Sequence, residues 1–220
     1  MSRPQAPLFS TDHLLQAADN ALRALFAPAH SQRTPFGVPA DPLQAVDPPM
    51  SESDRRHVAG LMRVNHAGEI AAQALYHGQA LLARNPAVRE FMLSAAAEEA
   101  DHLAWCEQRL RELGDRTSLL NPLWYAGSFA IGAGAAALSD GLSLGFVTET
   151  ERQVEGHLAE HLKALSAGDH RTRAILESMQ RDEIGHAQAA HAAGAVSLPP
   201  WVQWTMRWVS KCMTRTAYWV

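Results

Sequence analysis

One arrangement of metal-binding side chains occurs twice along the chain. Each copy has a single glutamate on one helical segment and a Glu-x-x-His motif on the next. The residues are Glu69, Glu99 and His102 in the first copy, and Glu151, Glu183 and His186 in the second. Four carboxylates and two imidazoles are the ligands of a two-metal centre in the core of a four-helix bundle. The pattern therefore predicts a dinuclear metal site.

The positions of these residues carry more weight than the motif itself, because a chain with 11 histidines among 220 residues produces Glu-x-x-His by chance. Each acid occupies an apolar stripe that recurs every three or four residues, where a packed helix normally places leucine. Glu69 shares its stripe with Met62 and Tyr76. Glu183 shares another with Leu176. We therefore expect the acids to point into the core.

Buried carboxylates require a compensating charge, which two divalent cations would supply. Oxygen-rich ligation with one imidazole per metal suits iron or manganese better than zinc, whose structural sites prefer thiolates. Iron is the metal we expect first. Glu98 is a rival to Glu99, since it also faces His102 at helical spacing, but its stripe is more mixed. The opposing interpretation is that these acids are solvated surface residues or core ion pairs.

The composition is that of a globular protein, with 47% hydrophobic and 19% charged residues. A net charge of −4 provides no basic field for nucleic acid, which we do not expect as a partner. The two cysteines form no disulfide framework, and Cys106 is expected to be a reduced core thiol. The first residues lack a signal-peptide pattern, so export is not expected.

Helical periodicity and capping signals predict an all-α four-helix bundle with extra amphipathic helices at both ends. The N-terminal helix is expected over residues 11 to 26, with Leu14, Leu15, Ala18, Leu22 and Leu25 on the side that docks on the bundle. A proline-rich linker or wrapping loop follows to residue 49. Three bundle helices are predicted to begin near Ser51, Asn85 and Asp169. Asn121-Pro122 repeats the cap-and-proline signal before a long stretch that ends near Leu165; its residues 121–139 belong to the connection between the second and third helices. Residues 1–50 thus form the N-terminal helix and linker, and residues 51–220 the metal-binding domain with its C-terminal helix.

Two segments outside the ligand stripes are unusual. Residues 121–139 carry no charge and are rich in Ala, Gly and Ser, which favours close packing or an interfacial position over a membrane span. The helix expected after Ser197 has aromatic and cationic edges, with Trp201, Trp204 and Trp208 opposite Arg207 and Lys211. This pattern is typical of a helix in a membrane interface, and a packing helix or dimer contact is the alternative.

A pair of irons in a dry pocket can store two electrons, which matches oxygen activation. Placing one oxygen atom of O2 in a C–H bond and the other in water consumes two electrons from outside the protein. The chain has no glycine-rich dinucleotide turn after a strand. The two electrons must therefore come from an external reductant, from a partner or from the substrate. NADH is a candidate for the reductant.

The residues around the predicted ligands resemble those of the demethoxyubiquinone hydroxylase family, the di-iron monooxygenases of ubiquinone biosynthesis. The matching segments are Arg63-Val-Asn-His-Ala-Gly-Glu69, Ala97 to His102, Thr148 to Glu151 and Asp182 to His186. The resemblance covers about residues 51–220. It implies a ferritin-like bundle, two iron ions on the six ligands, O2 as co-substrate, and hydroxylation of the ring of a polyprenyl methoxy-methyl benzoquinol.

The resemblance also implies where the protein works. It implies peripheral association with the cytoplasmic side of the inner membrane, where the polyprenyl substrate resides. A homo-oligomer or other ubiquinone-biosynthesis proteins are the expected protein partners.

Three further residues are candidates for roles near the metals. His157 follows Glu151 by six residues, as a histidine does in that family, and is either a quinol-side or proton-transfer group or a surface histidine. Tyr76 either hydrogen-bonds near the metals or caps the core seam. Asp182 either orients a ligand histidine or is a solvated helix residue.

Three other functions remain as alternatives. An iron-storage or ferroxidase bundle would not need the tryptophan-rich tail. Of the peroxide scavengers, a rubrerythrin needs two Cys-x-x-Cys pairs, which two cysteines cannot form, while a manganese catalase is distinguished by metal analysis. A membrane-bound interaction protein without catalysis would tolerate the loss of Glu183.

Overall fold

The computed structural model describes residues 10–35 and 48–220, and every regular element within those ranges is an α-helix. The helices are α1 (Thr11–Phe26), α2 (Glu52–Leu82), α3 (Pro86–Glu112), α4 (Asn121–Leu138), α5 (Asp140–Ala164), α6 (His170–Ala192) and α7 (Pro200–Ala217). The predicted all-α class is confirmed. Residues 36–47 of the predicted linker lie outside the described part of the chain.

Most helix starts coincide with the capping residues in the sequence. The side chains of Ser51, Asn85 and Asp169 each accept a hydrogen bond from a backbone N–H of the following turn. The cap predicted at Asn121 is wrong: the helix begins at that residue without a side-chain cap, and its amide lies 3.3 Å from the Nδ1 atom of His66. Packing against α2 has taken the side chain that a cap would use.

The long stretch predicted from Asn121 to about residue 165 consists of two helices, because Ser139 divides it. This residue is extended, with φ −169°, and its side chain caps α5 by accepting a hydrogen bond from Leu142 N–H. The break allows α4 to lie along α2, while α5 packs against α6. The second helical hairpin of the bundle therefore begins at α5.

The ligand-bearing helices α2, α3, α5 and α6 form two hairpins, joined through α4. Their buried apolar side chains form two clusters. One contains Met62, Leu110, Leu158 and Met179, and the other contains Tyr76, Met92, Leu144 and Val147. Along each of the four helices the predicted ligands lie between residues of these two clusters. The site is thus enclosed by hydrophobic core on both sides.

The small residues of α4 pack directly on α2. A Cβ atom added at Gly132 would lie 2.2 Å from the carbonyl oxygen of Leu75, and one at Gly78 would lie 2.2 Å from that of Phe129. Only glycine at both positions permits this backbone approach. The expectation of close packing is confirmed, and no helix in the described ranges is long and apolar enough to cross a membrane.

The first helix docks by a different side from the one predicted. Leu14, Leu15 and Leu22 are exposed, while Ala21, Ala24 and Leu25 pack against the cluster of Ile70, Ala74, Leu103 and Tyr125. Small side chains let α1 lie close to the bundle, and only Leu25 of the predicted face takes part. The longer leucines are left pointing outward.

The end of the last helix is anchored to α2. Arg63 donates a 2.5 Å hydrogen bond to the carbonyl oxygen of Tyr218, whose hydroxyl lies 2.8 Å from Nδ1 of His57. Gly60 provides the space that the tyrosine ring occupies, since a Cβ atom there would lie 2.6 Å from it. The tryptophans of α7 meanwhile face away from the bundle.

We expect Gly132→Ala to lower the free energy of unfolding by about 1–3 kcal/mol, because the added methyl group meets backbone that cannot rotate away. Urea denaturation of metal-free protein measures the change. Gly134→Ala, in the same helix with open space around it, is the matched control and should be neutral or stabilising by up to about 1 kcal/mol. Equal midpoints for the two variants would contradict the close approach.

Candidate metal centre

The structure brings all six predicted ligands together. Four helices contribute them: α2 carries Glu69, α3 carries Glu99 and His102, α5 carries Glu151, and α6 carries Glu183 and His186. All six are buried, and the most accessible, His186, is only 8% exposed. The acids in these stripes therefore lie in the core. The alternative that they are solvated surface residues is excluded.

The ligand atoms form two overlapping groups. Within each group, one atom from every residue lies within 4.8 Å of the others; the first group is Glu69, Glu99, His102 and Glu183, and the second is Glu99, Glu151, Glu183 and His186. Two carboxylates, those of Glu99 and Glu183, belong to both groups. Each group has one imidazole and one carboxylate of its own. The doubled pattern in the sequence corresponds to this doubled site.

One nitrogen of each histidine faces the carboxylates. His102 Nδ1 lies 2.8 Å from Glu99 Oε2 and 3.4 Å from Glu183 Oε1. His186 Nδ1 lies 3.2 Å from Glu99 Oε1 and 3.7 Å from Glu183 Oε2. The Nδ1 atoms are therefore the ones placed to bind a metal.

Among the residues that the structure describes, several buried polar atoms of the cluster have no hydrogen-bond partner. They are Glu99 Oε1, Glu151 Oε2, both side-chain oxygens of Glu183, and Nδ1 of His186. Unpaired buried oxygens are costly, and natural cores pair them or bind a cation with them. Four carboxylates and two imidazoles are a donor set suited to two divalent ions of iron or manganese. The residues present thus fit a dinuclear centre.

The electrostatics of the cluster show the same demand for positive charge. Burial raises the pKa of Glu69 and Glu151 well above the usual range, and neighbouring carboxylates raise both further. Burial lowers the pKa of His186, yet the nearby carboxylates of Glu183, Glu99 and Glu151 raise it to about 12. Without metal, protons compensate the carboxylates, and bound cations would take over that role.

The outward nitrogen of each histidine meets a carboxylate from the opposite hairpin. Nε2 of His102 lies 3.0 Å from Asp182 Oδ2, and Nε2 of His186 lies 3.2 Å from Glu98 Oε2. Such partners fix the orientation of a ligand imidazole and determine which nitrogen carries the proton. Glu98, considered above as a rival ligand, belongs to neither group of ligand atoms. The sequence signal for this pairing is the acid directly before each Glu-x-x-His motif.

The remaining candidates lie in different surroundings. Tyr76 is fully buried and its hydroxyl donates a hydrogen bond to Glu151. Burial raises the pKa of Tyr76 well above its usual range, which keeps this hydroxyl protonated as a donor. His157 lies beside His161, with ring centroids 3.9 Å apart, and is in neither ligand group. A role for His157 in the reaction stays a prediction.

Comparison with known proteins identifies the family. The family model described as "Ubiquinone biosynthesis protein COQ7" matches residues 56–217, which include all six candidate ligands. The chain belongs to the COQ7 family. This confirms the resemblance found in the motifs.

Relatives of the COQ7 family match over nearly the whole chain. A protein of Bordetella petrii is 52% identical over 219 residues, covering 100% of this chain and 94% of its own length. A protein of Cupriavidus taiwanensis is 57% identical over 207 residues, covering 94% and 99%. Both are named 3-demethoxyubiquinol 3-hydroxylase. The family model starts inside α2, so residues 10–35 lie outside it, although the Bordetella relative aligns with them.

The two thiols should react very differently. Cys106 is buried near the sulfur of Met179 and burial raises its pKa, whereas Cys212 is exposed. Because the thiolate is the reactive form, we expect a thiol reagent to label one cysteine in the folded chain and both after unfolding. Mass spectrometry gives the count. Cys212→Ser should abolish labelling of folded protein and Cys106→Ala should not; rapid labelling of Cys106 would show that the core is open.

Proposed function

We propose that this chain is a di-iron monooxygenase that hydroxylates the ring of a polyprenyl demethoxyubiquinol in ubiquinone biosynthesis. The observation that carries the proposal is the pair of overlapping ligand groups, with unpaired carboxylate oxygens, in the core of a COQ7-family bundle. The relatives that share its length bear the name of this reaction. Residues 51–220 form the catalytic domain, and residues 1–50 are accessory to it.

Six residues would hold the irons. Glu69 and His102 would belong to one ion, Glu151 and His186 to the other, and Glu99 and Glu183 to both. Bound iron supplies the two-electron chemistry by which one atom of O2 enters a C–H bond of the quinol and the other leaves as water. Two electrons and two protons balance that reaction, and the electrons come from an external reductant, for which NADH is our candidate.

The chain itself contributes orientation and exclusion of water. Asp182 and Glu98 hold the outward nitrogens of the two histidines, so that Nδ1 of each imidazole faces the carboxylates. Tyr76 holds one oxygen of Glu151 and leaves the other unpaired. The apolar clusters on either side keep the site dry, which strengthens its electrostatic interactions.

We expect Glu183→Gln to abolish hydroxylation and to reduce bound iron towards zero, because both ligand groups lose a shared carboxylate. The measurement combines iron analysis with mass spectrometry of the quinol product formed from ¹⁸O2. Glu177→Gln, an exposed position on the same helix, is the control and should behave as wild type. Unchanged iron and product in Glu183→Gln would contradict the proposal. Rapid consumption of hydrogen peroxide without quinol product would favour the scavenger alternative.

We further propose that the outer face of α7 lies on the cytoplasmic surface of the inner membrane, so that the protein is peripheral. Trp201, Trp204 and Trp208 are 69%, 63% and 59% exposed in a helix that also carries Arg207 and Lys211. Exposed tryptophan beside cationic side chains suits the headgroup region of an anionic bilayer. A polyprenyl substrate would be taken from the same surface.

The variant Trp204→Gln/Trp208→Gln should bind vesicles of phosphatidylglycerol and phosphatidylethanolamine at least about tenfold more weakly, since it loses two aromatic side chains that would enter the lipid. Vesicle flotation measures the bound fraction. Leu15→Gln, an exposed apolar residue on α1, serves as the control. Undiminished flotation, together with a change from dimer to monomer in light scattering, would show instead that α7 is a subunit contact.

A further inference from the structure

The stretch that follows α1, residues 28–35, lies against α3 beside the metal cluster. Its backbone is tied down along its length: Ala29 N–H donates to Glu107 Oε2 at 3.2 Å, and the indole N–H of Trp105 donates to the carbonyl oxygen of Arg33 at 3.0 Å. Neither the predicted ligands nor the matched family segment includes these residues. They nevertheless reach the edge of the site.

Asp101, directly before the ligand His102, is the anchor for this stretch. Its carboxylate accepts hydrogen bonds from the hydroxyl of Ser31 at 2.9 Å, from the N–H of Gln32 at 2.7 Å and from Nε of Arg33 at 2.6 Å. The side chain of Asp101 is only 8% exposed. A buried carboxylate satisfied by three donors from one segment holds that segment firmly.

Arg33 then connects two helices. While its Nε binds Asp101 on α3, its Nη2 lies 3.1 Å from Oδ2 of Asp182 on α6. That same oxygen lies 3.0 Å from Nε2 of His102. The contacts form a continuous chain from the guanidinium through Asp182 to a ligand imidazole. The fixed fork of arginine suits this double attachment, which the single ammonium of lysine cannot reproduce.

Trp105 holds the same imidazole from another direction. Its ring lies 5.2 Å from that of His102, and the Arg33 guanidinium lies 5.6 Å from the centroid of the tryptophan ring. The indole N–H also donates to Ser31 Oγ at 2.9 Å. One segment outside the bundle therefore fixes both the carboxylate and the aromatic ring that border His102.

The outer carboxylate in the second half of the site is more exposed. Glu98, the partner of His186, is 48% exposed at its side chain. Its carboxylate lies 3.2 Å from Nε2 of His186. A cleft of about 320 Å³ lies here between α3 and α6, lined by Ser94, Glu98, Asp182 and His186 among others. The two halves of the duplicated ligand pattern thus differ in the surroundings of the carboxylate that pairs with each histidine.

We propose that Arg33 is a positioning residue for the metal subsite of His102 and that it acts through Asp182. The inference rests on the proposed dinuclear site. By holding Asp182 between α3 and α6, Arg33 fixes the imidazole with Nδ1 turned towards Glu69, Glu99 and Glu183. The contacts of Arg33 with Asp101, Asp182 and Trp105 do not include the subsite of His186, which is set independently.

The test is anaerobic titration of the full-length protein with Fe(II). Arg33→Gln should bind one of the two irons about 10–100-fold more weakly, as loss of an outer partner of a ligand histidine does. The second iron should change much less. Asp182→Asn should weaken the same iron, and the double variant should be about as weak as Asp182→Asn alone, because the two residues act in series.

Matched variants separate positioning from general stability. Glu98→Gln should weaken the other iron, so its effect should add to that of Arg33→Gln in a double variant. Arg23→Gln, which removes an exposed ion pair on α1, should leave both irons unchanged. Arg33→Lys should be intermediate, since it keeps the charge and loses the fork.

Three results would overturn the inference: unchanged binding of both irons in Arg33→Gln, full additivity of Arg33→Gln with Asp182→Asn, or equal weakening of both irons. Wild-type protein that binds no Fe(II) would instead contradict the proposed function. In that case the Nε2–H proton resonance of His102 in metal-free protein decides the positioning role. Loss of this resonance in Arg33→Gln, with persistence in Arg23→Gln, would support the positioning role. Persistence of the resonance in both variants would reject that role.

Discussion

The mutual repulsion of four buried carboxylates is the constraint on which the rest of the structure depends. Glu69, Glu99, Glu151 and Glu183 lie in a dry core, in two overlapping groups, and several of their oxygens have no donor in the described part of the chain. Such a cluster persists only where protons or cations balance it and where the surrounding helices are held rigidly. The apolar clusters on either side supply the rigidity, and the two ligand histidines, whose pKa values are raised, carry part of the compensating positive charge.

The six candidate ligands and most helix starts could be predicted from the sequence because their signals are local. An acid in a leucine position, repeated at helical spacing, predicts a ligand whatever the tertiary details, and caps such as Ser51 and Asn85 are satisfied within one turn. The cap predicted at Asn121 is wrong, and the sequence did not place the break at Ser139, because both features depend on how α4 packs against α2. The sequence offered Asp182 as a candidate to orient a ligand histidine, but which histidine it contacts, and the same position for Glu98, depend on which helices face each other.

The N-terminal region shows the same limit more sharply. The leucine stripe of α1 predicts docking, yet the helix docks by alanines and leaves Leu14, Leu15 and Leu22 outside. Close approach of two helices favours small side chains, so hydrophobicity alone does not identify the contact face. The link from Arg33 to Asp182 joins residues far apart in the chain, and no periodic pattern announces it.

The glycine crossing between α2 and α4 has a mechanical meaning. Where Gly78 meets Phe129 and Gly132 meets Leu75, backbone touches backbone and no side chain can change rotamer to absorb a displacement. The two helices must therefore shift as one rigid body. Leu123 and Ile131 project from the exposed side of α4, and α2 carries Glu69 and Tyr76. A load on that outer surface is transmitted to the centre of the protein through main chain alone.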